Sequence, residues 1–337
     1  MIFHDPSRTE DQEFDRALRP ATFADFVGQP EVRENLRVAI EAALGRGEPL
    51  DHVLFAGPPG LGKTTLAHLI AAGMNTAITV TSGPALASPK DLMGTLTRLQ
   101  RGDVLFVDEI HRLPRTVEEY LYSAMEDHAI DVPLDQGPAG RTIRINLQPF
   151  TLVGATTREG LLSGPFRARF GLVERLEPYP ESDIVLILAR AARLLAFPID
   201  AAAAELLATR SRGVPRTALR LQRRARDLAQ VQGARAVSVA LAEESLRRLR
   251  IDVLGLEEMD RRILRALIQR GEATGLKTLA AMVDEAEDTL EDVFEPHLLR
   301  IGLLVRTPRG RLATDKAYDH LGLPRGRGVA GDLPCPD

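Results

Sequence analysis

HVLFAGPPGLGKTTLAHLIAAGM, residues 52–74, joins an apolar run to a Gly-rich loop and then to a helical pattern that a Lys-Thr pair opens. From Gly57 to Thr64 the loop matches G-x-x-x-x-G-K-[ST], in the strand, loop and helix setting that this motif requires. Glycines such as Gly60 and Gly62 let backbone N–H groups and the helix N-terminus close on phosphate oxygens. Lys63 is placed to neutralise β and γ phosphates, and the Thr64 hydroxyl to meet Mg²⁺. The chain has four Lys beside 39 Arg, yet a Lys stands at this position. A compact ammonium on a flexible stem suits a phosphate cradle better than a planar guanidinium.

On both sides of this stretch, short apolar runs alternate with helical patterns, the signal of βαβ units and a parallel sheet. The runs are HVLFA (52–56), AITVTS (77–82), DVLFVD (103–108), FTLVGATT (150–157) and LVERLE (172–177), which predicts a five-stranded α/β nucleotide-binding sheet. DVLFVDEI carries Asp108 and Glu109 at the end of its strand. Beside a phosphate loop, the first carboxylate fits a Mg²⁺ ligand and the second fits a group that polarises the attacking water. Adjacent acids at a strand end can also merely cap the next helix.

Between the third and fourth runs, Ile130, Val132 and Leu134, then Ile143, Ile145 and Leu147, alternate with period two about GPAGR. This predicts an inserted hairpin, residues 129–148, with one apolar face. That face suits packing on its own core and partner docking equally.

After Pro180 the pattern turns helical and rich in Ala, Leu and Arg, as in LILARAARLLA and RTALRLQRRARDLAQ. A small helical domain is expected over 181–254, behind a large α/β domain over 1–180. A third unit, 255–323, has three helical patterns followed by LLVRT and RLAT flanking Pro-Arg-Gly, the layout of a winged helix. The tail 324–337, GLPRGRGVAGDLPCPD in its setting, reads as disordered.

The formal net charge is -4, but the signs are segregated along the chain. Residues 205–250 hold eleven Arg against four acids, a pattern read as solvated helix faces or intersubunit surface in preference to a nucleic-acid patch. Residues 284–299 hold seven acids and no Lys or Arg. The would-be recognition helix therefore repels phosphate through Glu291, Asp292 and Glu295. Only the turn after it is positive, with Arg306, Arg309 and Arg311 around a Pro and a Gly. Such a turn fits backbone contact along one DNA groove without base reading.

Composition narrows the class further. Aromatic residues are 4% with no Trp, which leaves little for base-stacking platforms. The single Cys335 has neither a disulfide partner nor zinc-site spacing. No apolar run reaches membrane-spanning length, and the acidic, polar N-terminus is unlike a secretory signal, so the expected location is cytoplasmic, with no membrane contact.

GPPGLGKTT, VDEIHRL, GATTR, GPFRARFG and GVPR, in this order and at these intervals, resemble the AAA+ ATPases. LRPATFADFVGQPEV, SAMED, GRTIRINL and VRTPRGR extend the resemblance, from Leu18 to about Leu323, to the family of Holliday-junction branch-migration motors. The resemblance implies a P-loop domain, a helical lid and a winged helix, ATP with Mg²⁺, and a homohexameric ring on double-stranded DNA at four-way junctions. It implies a RuvA-like junction-binding protein and a RuvC-like resolvase as partners. In the family's pattern Leu18 and Arg19 border the adenine, Gly60, Lys63, Thr64 and Thr65 take the phosphates, Thr156 is sensor 1, Arg216 is sensor 2 and Tyr179 lines the pocket. Arg169 would be an arginine finger reaching a neighbour's nucleotide, with Glu126, Asp127 and His128 also near it. Ile143 and Ile145 would dock the junction-binding partner. One departure is Glu287, where the family pattern leads one to expect a basic residue and one more phosphate contact. A clamp-loader-like ATPase and an ATP-switched DNA-binding regulator fit many of the same motifs.

Overall fold

The structure is a computed structural model that describes residues 18–133 and 142–324. The expected hairpin tip GPAGR and the tail beyond Pro324 lie outside the described residues. The chain divides into two compact units, one up to Val239 and one from Ala240. The lid helices thus share a unit with the α/β domain, and the last helix of the expected small domain, Val239–Arg248, falls at the division.

The first unit holds β1 (Val53–Ala56), β2 (Ile78–Ser82), β3 (Val104–Asp108), β4 (Ala129–Pro133), β5 (Thr142–Asn146), β6 (Thr151–Thr156) and β7 (Leu172–Arg175). Five of them form a parallel sheet in the order β2-β3-β6-β1-β7. Its three central strands, β3, β6 and β1, are buried along nearly their whole length because both faces are covered, whereas the edge strands β2 and β7 are largely open. Val53, Leu54, Phe55 and Val104 to Val107 are all fully buried.

Register places the chemistry. Ala56 pairs with Thr156, and Ser82 with Asp108, so the loop after β1 and the ends of β3 and β6 share the carboxyl edge of the sheet. That edge is where open α/β sheets bind ligands. The helix Lys63–Met74 starts directly from the loop and buries Leu66, Leu69 and Ile70 against the sheet. Lid helices Glu181–Leu194, Ala201–Arg210 and Pro215–Val231 complete the unit. The last of these buries Ala218, Leu221, Ala225 and Ala229 and leaves Arg220 and Arg224 exposed, as a solvated arginine face should.

β4 and β5 form the expected antiparallel hairpin, with Ile130 opposite Ile145 and Val132 opposite Ile143. Its apolar face divides along its length. Ile130 and Leu147 belong to the core, Ile145 is half-buried, and Ile143 is 48% exposed. The base of the hairpin is core packing, and at Ile143 the face opens to the surface.

The second unit has helices Glu258–Arg270 and Leu276–Val283, a third helical stretch from Glu287 to Arg300, and a ribbon of β8 (Leu304–Thr307) and β9 (Gly310–Ala313). Thr274 joins the ribbon by exchanging two 2.8 Å backbone hydrogen bonds with Arg311. Gly310 is required there. Its φ is +134°, and a Cβ would lie 2.3 Å from the Thr274 carbonyl oxygen. The third stretch is α-helical at both ends but π-helical over Leu290–Phe294. Pro296 explains the change, because it lacks an N–H and its ring crowds the carbonyl four residues back, opening the turn.

Candidate functional site

A cleft of about 580 Å³ lies at the carboxyl edge of the sheet, within the first unit. It is lined by Leu18, Arg19, Gly60, Gly62, Lys63, Thr64, Thr65, Asp108, Glu109, Tyr179 and Arg216, all expected from the sequence. The lid segment sits directly on the phosphate loop. The Tyr179 hydroxyl donates to the Leu61 carbonyl at 3.0 Å, and the Arg216 N–H donates to the Gly60 carbonyl at 3.4 Å. A Cβ on Gly60 would come within 2.8 Å of Val214, so its glycine admits the lid as well as a phosphate. Burial pushes the Tyr179 phenol up, keeping it a neutral donor.

Lys63 is 8% exposed, and its Nζ donates to the carbonyls of Gly57 at 2.7 Å and Pro58 at 2.8 Å. Burial pulls its pKa down to about 8; Asp108 opposes the shift and Arg216 adds to it. A folded-state pKa below the unfolded one makes the charge a cost at neutral pH, and stability gains as pH rises from about 8 towards the ordinary lysine value. A bound phosphate reverses the imbalance, so binding takes up a proton above pH 8. We expect ATP affinity to be flat near pH 7 and to weaken by up to about tenfold per pH unit above 8. Calorimetry in buffers of different ionisation enthalpy would count the proton: close to one at pH 9 and near zero at pH 7. No uptake at pH 9 would show either that Lys63 is already charged in the free protein or that it does not meet the anion, and Lys63→Ala binding on the same titration separates the two.

Asp108 and Glu109 end β3 side by side. The Asp108 carboxylate accepts the Glu109 N–H at 3.0 Å, and the Glu109 carboxylate accepts from Arg112 at 3.0 Å. Glu109 is left-handed, φ 49° and ψ 44°, a strained conformation for a residue with a Cβ. Gly83 accommodates it. A Cβ on Gly83 would lie 2.4 Å from the Glu109 carbonyl oxygen. The donor set suits Mg²⁺, a hard cation with oxygen ligands, because Thr64 and Asp108, a hydroxyl and a carboxylate, both line the cleft that holds Lys63.

Thr156 departs from expectation. It is 1% exposed, and its hydroxyl meets His111 Nδ1 at 3.0 Å and accepts the Arg158 N–H at 2.9 Å. Thr157, beyond the strand end, lines the cleft instead.

Arg169, Glu126, Asp127 and His128 do not line the cleft either. Arg169 lies over the Tyr122 ring, 4.5 Å from its centroid, and donates to the Pro165 carbonyl at 2.7 Å. Its Nε approaches Glu126 at 3.1 Å, but off the N–H axis, so this is an ion pair that leaves the Nε–H without a hydrogen bond. Asp127 lies 3.8 Å from Arg144 of the hairpin, and His128 takes a left-handed backbone where the chain turns into β4.

In the second unit the three wing arginines differ. Glu295, fully buried, accepts from Arg306 at 2.5 and 3.0 Å and from Arg311 at 2.5 and 3.3 Å, while Glu291 receives both at longer range. Arg311 is 14% exposed, and the Glu295 carboxylate holds its guanidinium above its ordinary pKa. Arg309 is exposed at the tip, with its backbone N–H on Thr307. The acids read as repelling DNA thus hold two of the arginines read as attracting it.

Arg190 went unnoticed in the sequence. From the lid it donates to the Leu18 carbonyl at 2.7 Å, fixing the segment that walls one side of the cleft. It stands in an Arg-rich helix where nothing in the pattern singles it out. Phe26, Gly83, Thr157 and Ile187 were likewise missed.

Residues 18–176 match the family described as the Holliday junction DNA helicase RuvB P-loop domain, residues 179–252 the RuvB AAA lid domain and residues 253–322 the RuvB C-terminal winged helix domain. The chain is 53% identical to the RuvB branch migration complex subunit of Kosmotoga olearia over 329 residues, 97% of this chain and 96% of that one. It is 51% identical to that of Prosthecochloris aestuarii, over 94% of this chain and 93% of that one. The solved structure of the Thermotoga maritima RuvB Holliday junction branch migration motor superposes with a TM-score of 0.85 at 51% identity, covering 91% of this chain and 99% of that one. With three family domains in order on a P-loop fold, the chain belongs to the RuvB family of ATP-driven Holliday-junction branch-migration motors.

Proposed function

We propose that this chain drives branch migration as one subunit of a homohexameric ring on duplex DNA, hydrolysing ATP at each junction between subunits. The observation that carries this reading is the separation of Arg169 from the cleft. Phosphoryl transfer spreads charge over equatorial oxygens, which a guanidinium stabilises. The cleft has Lys63 and Arg216 but lacks Arg169, so a neighbouring subunit's Arg169 is the natural source, with Glu126, Asp127 and His128 on the same face.

In the proposed step, a water oxygen bonds to the γ-phosphorus as the bond to the β–γ bridging oxygen breaks, and the water's proton passes to Glu109. Lys63, Thr64, Thr65 and the loop N–H groups at Gly60 and Gly62 orient the phosphates. Mg²⁺, held by Thr64 and Asp108, would supply further charge neutralisation. Leu18 and Arg19 would border the base. The lid contacts at Leu61–Tyr179, Gly60–Arg216 and Leu18–Arg190 would convert changes at the phosphates into lid movement, the source of force. Thr157 takes the place at the strand end that Thr156 was expected to fill. The partners are a RuvA-like junction-binding protein, docked on Ile143 and Ile145, and a RuvC-like resolvase; the site of action is the cytoplasm.

The test is branch migration of a synthetic four-way junction, with and without the RuvA-like protein. ATP-dependent migration is expected, and ATP turnover that never moves the junction would remove the motor reading from this chain. For the docking face, Ile143→Asp with Ile145→Asp is expected to keep basal ATPase within about twofold while partner-stimulated migration falls at least tenfold, because buried charge without a counterpart costs several kcal/mol of order. A melt that loses cooperativity would instead assign the whole face to core packing.

A further inference from the structure

The arginine-bearing loop is built on one aromatic ring. Tyr122, on the helix Arg115–Glu126, lies under the Arg169 guanidinium and against Phe166, 5.4 Å between ring centroids. Its hydroxyl donates to Glu118 and lies 2.7 Å from Ser163 Oγ. Ser163 also donates to Glu118, at 2.5 Å, and caps the short helix Gly164–Arg167 by accepting the Phe166 N–H at 3.3 Å. Phe166 and Phe170 pack edge to face in the core on either side of Arg169. One carboxylate, Glu118, therefore ties together the helix, the ring and the turn from which Arg169 departs.

We propose that Tyr122 is the positioning residue for Arg169: its ring face, pinned by Glu118 and Ser163, aims the guanidinium across the subunit boundary without neutralising it. This rests on the reading of Arg169 as a finger in trans. A carboxylate partner would consume N–H donors and cancel charge that a phosphoryl group needs. A ring face attracts the cation through its quadrupole and leaves the edge donors available. Among the described residues, Nη1 has a well-aligned hydrogen bond, to Pro165, and the Glu126 ion pair at 3.1 Å is oblique. That ion pair therefore engages no N–H donor and is the contact that a neighbour's phosphates would displace while the ring stays in place.

The experiment measures ATP affinity, kcat and mixed-ring complementation for Tyr122→Leu and Tyr122→Phe, with Arg169→Ala as control. Cation–π attraction of ordinary strength predicts that Tyr122→Leu lowers kcat about 3- to 30-fold with ATP affinity unchanged within about twofold. Tyr122→Phe keeps the ring and should lose no more than about threefold. Mixed with Lys63→Ala subunits, Tyr122→Leu should regain turnover, because its own intact cleft then borders a neighbour with a properly held Arg169. Mixed with Arg169→Ala subunits it should not. A structural defect in the cleft would not follow this pairing. Wild-type kcat in Tyr122→Leu, a Phe variant as impaired as the Leu variant, or failure of Lys63→Ala to rescue Tyr122→Leu while it rescues Arg169→Ala would each overturn the proposal. Full turnover by Arg169→Ala alone would overturn the finger reading itself, and the role of Tyr122 with it.

Discussion

Glu109→Gln is expected to bind ATP within about threefold of the unaltered protein while its turnover falls by 10²- to 10⁴-fold, the range for loss of a positioned general base. The amide keeps the size of the side chain and can still meet Arg112, so the left-handed backbone beside Gly83 is undisturbed. Only the ability to accept the water's proton goes. Lys63→Ala should fail earlier, with ATP affinity reduced about 10- to 100-fold, as for a lost charge-assisted hydrogen bond. The contrast matters more than either number, because it separates holding the phosphates from activating the water. Equilibrium binding and steady-state turnover on the same preparations check it. Normal hydrolysis by Glu109→Gln would move the base elsewhere, and Arg112, which now holds that carboxylate, would then have to be read as a purely local ion pair.

Much of this site was legible because its parts are local. The loop from Gly57 to Thr64 is a contiguous motif, and apolar runs bounded by turns placed β1, β2, β3, β6 and β7 within a residue or two. Asp108 was found because a buried strand ends on it. What stayed hidden depends on where an element stops or on what meets across the fold. Thr156 and Thr157 are adjacent and chemically equal. Side chains alternate along a strand, so a one-residue difference in where β6 ends decides which hydroxyl is buried against His111 and which lines the cleft. The π-turn over Leu290–Phe294 follows from Pro296, a signal present in the sequence but masked by the helical pattern that runs across it. The pairing of Arg306 and Arg311 with Glu295 crosses 11 and 16 residues and needs the ribbon folded back on the helix. Charge counted by segment placed those acids and bases in opposition, whereas the fold makes them partners.

That pairing sets the expected behaviour of the wing. Glu295→Ala should cost about 2–3 kcal/mol in the second unit, somewhat less than the usual loss for breaking a buried ion pair because Arg306 remains half exposed and can reach solvent. Arg311 is more deeply buried and would keep the longer Glu291 contact in place of its closest partner, so the ribbon should loosen where β9 meets Thr274. Duplex binding should weaken for that reason even though the variant is more positive, which is the opposite of what net charge alone predicts. Arg309→Ala should leave stability unchanged and lower the salt slope of log K by about 0.9, the signature of one lost phosphate contact, with all sequences weakened alike. Arg311→Ala should resemble Glu295→Ala, a loss of stability, more than Arg309→Ala. Urea denaturation monitored on the second unit, together with duplex anisotropy across a salt series, separates the two classes. If Arg311→Ala instead lowers the slope by a full unit at unchanged stability, Glu295 must release it to the DNA, and the buried carboxylate is then a store for the arginine rather than the anchor of the wing.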